Sequence, residues 1–104
     1  MTVKMQKLLR KVKDNAVISH DEDDSLILGL IAAAIDYAEV YQKVRHGRKQ
    51  LPPSTEQAVI ILATHWYESR DGSTGGFFAD TAAAGERVWE TVHRLLAVNR
   101  HIEV

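Results

Sequence analysis

Apolar residues across residues 26–44 recur at intervals of three and four positions, which is the period of an α-helix and not of a strand. Similar spacing is found at about residues 2–13, 54–70 and 86–98. Alternation of apolar and polar residues does not extend over the length that a strand needs. The pattern predicts an all-α fold, a small bundle of about four helices. A chain of this size is expected to form one domain, over residues 1–104.

Capping signals predict the limits of the first two helices. Asp14-Asn15 is a plausible stop for the first helix. The acidic run Asp21–Asp24 suits the start of the second, because carboxylates there cap free backbone amides and meet the positive end of the helix dipole. The second helix is predicted to end near Arg45, with Gly47 as its C′ residue.

The third helix has two possible starting registers. Ser54 and Gln57 have the spacing of a capping box, whereas Pro53 suits the first helical position. Residues 58–63 are apolar all round, so this helix is expected to be the most enclosed. The glycines that follow predict a mobile loop at 71–80, which orders on contact with a neighbouring copy.

The expected core combines Trp66 with aliphatic residues of the second and third helices: Leu30, Ile31, Ile61 and Leu62. Without cysteine the chain has no disulfide and no thiolate metal ligand. The apolar stretches are too short to span a membrane. The basic start of the chain has no apolar run behind it, so we expect no secretory signal.

Candidate catalytic and metal-binding groups are sparse. His65 and Glu68 are three residues apart on one helix face, a spacing that metal sites use. A metal site needs further ligands, and the second helix offers only Asp36 and Glu39. The serines fall at predicted caps and turns. We therefore expect no enzyme activity, no metal and no cofactor.

Two basic clusters, at residues 4–13 and 43–49, are open to two interpretations. They match the footprint of a nucleic-acid-binding protein, or they are solvated helix faces and a helix end that complements its dipole. The formal net charge of −1 gives no overall attraction to nucleic acid. Phe77 and Phe78 lie beside two glycines, and exposed aromatic residues on a loop favour an interface.

The chain resembles the head–tail connector proteins of tailed phages over about residues 5–100. The resemblance rests on the order and spacing of several blocks: Asp21–Asp24 leading into Leu26–Ala34, Tyr37–Tyr41, Leu51–Pro53 leading into Gln57–Ala63, His65–Arg70, and Val88–Arg100. The lysine-rich start and the glycines at 71–76 have no counterpart in that pattern.

The resemblance implies a structural subunit in a homo-oligomeric ring at the virion neck, assembled in the bacterial cytoplasm. Its partners would be the portal protein and the next tail-proximal protein. DNA would pass through the ring without being read. The main alternative is a small helical DNA-binding regulator or packaging accessory protein, with residues 47–53 as the turn of a helix-turn-helix. The apolar helix that follows this turn fits a core better than a DNA groove.

A ring needs two different, complementary surfaces on each subunit. The candidate residues for this interface are Asp21, Glu22, Asp23, Asp24, Lys43, Arg45, Arg48, Lys49, Phe77 and Phe78. We expect high salt to weaken assembly, and reversal of Arg45, Arg48 and Lys49 to glutamate to prevent rings from forming. Local complementation of the helix dipole by these charges is the competing explanation.

Overall fold

The computed structural model describes the backbone of residues 3–47, 49–69 and 78–100, and their side chains except those of residues 3 and 78–84. The described residues form four α-helices and no strand. These are α1 (Val3–Ala16), α2 (Asp24–Gln42), α3 (Pro53–Ser69) and α4 (Phe78–Ala97). The predicted all-α bundle is confirmed.

α3 is the central helix. It contacts each of the other three, whereas within the described residues α1 and α4 lie at separate edges and do not touch. The Cα atoms extend over 46 × 32 × 16 Å, so the bundle is flat. The side chains that α3 buries face all three neighbours: Thr55, Ala58, Val59, Ile60, Leu62, Ala63, Thr64 and Tyr67. The apolar stretch at 58–63 accounts for this central position.

The core is made of aliphatic side chains from all four helices, with Leu51 from the α2–α3 connection and Tyr67 at its margin. Its buried members are Leu8, Val12, Ile27, Ile31, Ala34, Ala38, Leu51, Ala58, Val59, Ile60, Leu62, Ala63, Tyr67, Val92 and Leu96. Ile31 and Leu62 are buried as predicted. Leu30, Ile61 and Trp66 are only partly buried and pack against the core from outside.

α1 continues beyond the predicted stop to Ala16 and ends in a Schellman motif. The Ile18 amide donates to the Lys13 carbonyl at 2.8 Å, and the Val17 amide donates to the Asp14 carbonyl at 3.3 Å. Val17 occupies the left-handed position with φ 57°, which is unfavourable for a β-branched residue. It is 89% exposed, so packing within the subunit does little to offset that cost.

α2 ends at Gln42, before the predicted limit near Arg45. Lys43, with φ 60°, takes the C′ position that the sequence suggested for Gly47, and the Val44 amide donates to the Glu39 carbonyl at 3.2 Å. The helix stops here because Lys43 takes the left-handed conformation, and its last residue, Gln42, belongs to a buried polar network described below. Gly47 lies in a separate turn and also has a positive φ of 57°.

The register of α3 is the one with Pro53 at the first helical position. The Ser54 hydroxyl donates to Asn99 Oδ1 at 2.8 Å, so it tethers the start of α3 to the residues that follow α4. Ser54 therefore acts across the bundle and not as a local cap.

α4 begins at Phe78, and the predicted loop is wrong over residues 78–80, as is the predicted start near residue 86. The alanines at 82–84 have the highest helix propensity of any residue, which offsets the cost of Gly85 inside the helix. Gly85 lies against α3, where a Cβ atom would be 3.9 Å from His65 Nε2. The rest of the predicted mobile loop, residues 71–77, lies outside the described residues.

Candidate assembly surfaces

The acidic run at the start of α2 is engaged mainly by its own subunit. Lys13 Nζ on α1 donates to Asp21 Oδ1 at 2.6 Å and to Asp24 Oδ1 at 2.9 Å. The Tyr67 hydroxyl of α3 donates to Asp23 Oδ2. Asp23 occupies the N-cap position without a side-chain cap hydrogen bond, contrary to the capping expected from the sequence. Glu22 is exposed.

These ion pairs shift the protonation equilibria of the groups involved. The hydrogen bond to Asp21, followed by the one to Asp24, raises the pKa of Lys13 above its ordinary value. The same hydrogen bond from Lys13 lowers the pKa of Asp21. The Asp21 side chain nevertheless remains 88% exposed. It can therefore still face a neighbouring molecule.

The basic residues at the other end of α2 divide into two groups. Lys43 and Arg45 are exposed and line a shallow groove together with Asp36, Glu39 and Val40. This groove has both charges and an apolar side chain. The basic end of α2 is thus a mixed surface and not a purely positive one.

Lys49 lies in the turn that follows that groove along the chain, and the His46 amide of this turn donates to Glu39 Oε2 at 2.8 Å. The Lys49 amide donates to the His46 carbonyl at 3.1 Å, closing a turn that contains Gly47. The Gly47 carbonyl accepts a hydrogen bond from Lys4 Nζ at 2.5 Å, so the turn lies against the first turns of α1. Arg48 is outside the described residues.

Two large apolar side chains are exposed on α2. Leu26 is 41% exposed and Val40 is 72% exposed, and their spacing of fourteen residues places both on one side of the helix. The predicted aromatic contact residues cannot be assigned a surface: Phe77 lies outside the described residues, and Phe78 is described only as the backbone start of α4.

A buried polar network joins α2, α3 and α4, and the sequence analysis missed it. Gln42 is fully buried, and its Nε2 donates to Thr55 Oγ1 at 2.7 Å and to the Leu96 carbonyl at 3.1 Å. Gln42 Oε1 lies 2.8 Å from His46 Nε2. A carbonyl can only accept, so the Leu96 contact fixes the amide orientation, and His46 Nε2 must carry the hydrogen that Oε1 accepts. A polar residue four positions after Ala38, on the buried stripe, was the available signal.

A cluster of tyrosine, tryptophan and histidine side chains joins α2 to α4. The Tyr37 hydroxyl lies 2.6 Å from His93 Nε2, and Tyr41 stacks on the His93 ring with centroids 5.1 Å apart. The guanidinium carbon of Arg100 lies over the Tyr41 ring, 4.8 Å from the ring centroid. Burial, with a smaller contribution from Tyr41, raises the pKa of Tyr37. The cluster contributes to the α2–α4 contact, which is otherwise small.

Metal ligands do not gather in the part of the chain that the structure describes. No group of three or more histidine, aspartate or glutamate side chains there is placed to hold an ion. His65 faces Gly85 of α4. In the described ranges, no helix is long and apolar enough to cross a bilayer.

The fold and its surfaces define a small α-helical bundle protein with charged outer faces. The family model of phage gp6-like head-tail connector proteins matches residues 6–99. The match covers almost the entire chain, so this protein belongs to the gp6-like head–tail connector family. Searches of curated proteins and of solved structures found no match.

Family membership confirms the resemblance seen in the sequence. The family is one of structural proteins and not of enzymes, and it belongs to the neck of the virion. Its members contact other proteins of the phage head and tail. The charged ends of α2 therefore belong to a protein whose role is to bind other proteins.

Proposed function

We propose that copies of this chain form a ring beneath the portal of a tailed phage or prophage. The ring extends the DNA channel toward the tail and offers a docking surface to the next tail-proximal protein. Assembly takes place in the bacterial cytoplasm before the ring joins the virion. Membership of the head–tail connector family is the observation that carries this proposal.

The charge distribution along α2 supports head-to-tail contact between copies. A ring uses heterologous contacts, in which two different surfaces of one subunit meet. α2 has 19 residues and is about 28 Å long at 1.5 Å per residue, so about one helix length separates the acidic residues before its start from the basic residues after its end. Charges this far apart are largely screened from each other within one subunit. These distant charges can therefore interact with neighbouring copies, whereas opposite charges on the same helix turn would pair with each other.

Apolar contacts are needed for affinity, because exposed ion pairs contribute only about 0–1 kcal/mol each. Leu26 and Val40 lie on the outer side of α2, between the two charged ends. Val17 is exposed at the corner that leads to the acidic end, in a backbone conformation that a glycine would adopt more easily. Since strained backbone often marks functional sites, Val17 is a further candidate contact residue.

The alternative of a DNA-reading helix-turn-helix is disfavoured by the position of α3. A recognition helix must present polar side chains to the major groove. α3 instead packs against all three other helices. Val59, Ile60 and Leu62 are buried in the core, so this helix cannot enter a groove without unfolding the bundle.

Paired charge reversals test the proposed head-to-tail contact. One variant carries Asp21→Lys and Glu22→Lys, and the other carries Lys43→Glu and Arg45→Glu. Solution mass at several protein concentrations and electron microscopy report ring formation. We expect the parent to form rings that weaken in high salt, and each variant alone to fail.

An equimolar mixture of the two variants is the decisive sample. In alternating order, each reversed surface meets a reversed surface of opposite charge, so the mixture should regain rings. The matched control carries Arg87→Glu and Arg94→Glu on the exposed side of α4, where assembly should be unaffected. Rings that form equally well in every single variant and in high salt would leave these charges as complements of the helix dipole. If the parent forms no oligomer at any concentration, the proposed ring itself is refuted.

A further inference from the structure

The fold brings together the two basic clusters that lie far apart in the sequence. Lys4 Nζ donates to the Gly47 carbonyl at 2.5 Å, which joins the start of α1 to the turn at residues 46–49. Lys49 closes that turn through its hydrogen bond to the His46 carbonyl at 3.1 Å. Lys49 therefore lies in a turn that contacts α1 through Gly47 and the mixed groove at the end of α2 through the His46 amide, which donates to Glu39 Oε2 at 2.8 Å.

Lys7 belongs to the same surface because of helix geometry. Lys4, Lys7 and Lys11 follow at intervals of three and four, so they lie on one side of α1. Lys11 Nζ contacts Glu56 Oε1 of α3 at 3.0 Å, and Lys4 contacts Gly47. The exposed Lys7 lies between these two anchors, facing the side on which the 46–49 turn is placed.

Within the described residues, the lysines of this surface have no carboxylate partner. Among the described residues, Lys4, Lys7 and Lys49 form no ion pair, whereas Lys11, Lys13 and Arg94 each contact a carboxylate. The partner of Lys4 is a backbone carbonyl, which satisfies hydrogen bonding but leaves the full charge in place. Two carboxylates lie at the edges of the surface: Glu56 is engaged by Lys11, and Glu39 Oε2 accepts from the His46 amide at 2.8 Å.

We propose that Lys4, Lys7 and Lys49 form a surface that contacts the phosphate backbone of double-stranded DNA. Lysines are flexible point charges that meet phosphates without the fixed fork with which arginine reads a base edge. The described aromatic cluster of Tyr37, Tyr41 and Trp89 lies between α2 and α4, away from this surface. A surface without stacking side chains suits a duplex and not a single strand.

One part of this assignment rests on the proposed ring: within such a ring, the lysine surface would be the one that faces the DNA channel. Each copy would then present the same few charges around the axis. Contacts of this kind are independent of sequence and dissociate readily at physiological salt. They guide a passing duplex without holding it.

Fluorescence anisotropy with a labelled DNA duplex tests the proposal, using the full chain over a series of salt concentrations. The variant carries Lys7→Gln and Lys49→Gln, since neither side chain forms a hydrogen bond or ion pair within the described residues. The matched control carries Arg87→Gln and Arg94→Gln on α4, the edge of the bundle that does not touch α1. Circular dichroism verifies that both remain folded.

We expect the parent to bind two unrelated duplex sequences equally. The slope of log K against log salt should fall in magnitude by about 0.9 for each lost phosphate contact, hence by about 1.8 in the lysine variant and not in the control. An equal loss in the control would mean that only bulk charge matters, and would overturn the proposal. The proposal would also be overturned if the lysine variant bound DNA like the parent but no longer formed rings. The lysine surface would then contact a neighbouring copy and not DNA. A parent that binds DNA in this way but forms no ring contradicts the proposed ring and leaves the lysine surface standing.

Discussion

Replacing Gln42 with methionine tests whether the buried polar network stabilises the bundle. Methionine keeps the length and approximate shape of the side chain and removes only the amide. The His46 Nε2 hydrogen and the Thr55 hydroxyl then lose their partner, at distances that are now 2.8 and 2.7 Å. The Leu96 carbonyl keeps the Asn99 amide as a donor at 3.2 Å, so its loss is smaller.

The expected magnitude follows from these two orphaned groups. A buried polar group left without a partner costs about 1–3 kcal/mol. Burial of the more apolar methionine side chain offsets part of that cost. We therefore expect the free energy of unfolding to fall by about 2–3 kcal/mol, and the melting temperature to fall by about 10–20 °C for a domain of this size.

Urea unfolding provides the measurement, followed by circular dichroism and by the fluorescence of Trp66 and Trp89. Gln57→Met is the matched control, because Gln57 is exposed on α3 and its replacement should change stability by no more than about 0.5 kcal/mol. If Gln42→Met proves as stable as Gln57→Met, the network does not stabilise the fold and the reasoning from burial fails.

Two further predictions concern the α1–α2 corner. Val17→Gly should stabilise the subunit by about 0.5–1 kcal/mol in thermal unfolding, because relief of the left-handed strain exceeds the entropy that glycine adds to the unfolded chain. The same change at Val40, inside α2, should destabilise; a loss of stability at both sites would contradict the assigned strain. The carboxyl of Asp21 should titrate below the ordinary pKa in an NMR experiment and return to it in Lys13→Met, but not in Lys7→Met. Since folding lowers this pKa, its contribution to stability is present above about pH 4 and is lost as the pH falls through the folded value. An Asp21 pKa that is the same with and without Lys13 would exclude the pairing.

The sequence by itself determined the all-α class, the existence of the helices and the central place of α3. These features follow from local periodicity and from the apolar stretch at 58–63. Both can be recognised in the sequence without knowing how the helices pack. The order of the motif blocks also identified the family. Burial of Ile31 and Leu62 was predictable for the same reason, since both lie on the apolar stripe of their helix.

The tertiary structure alone decided where α2 ends and which charges remain available. Gln42 is polar and local signals extend the helix past it, yet Thr55 and Leu96, far along the chain, make it a buried anchor. Lys13 binds two carboxylates of the acidic run, and Lys4 binds the Gly47 carbonyl in the turn that Lys49 closes. Each of these contacts joins residues on different elements. Their geometry depends on how the helices pack, which the spacing of residues along one helix does not encode.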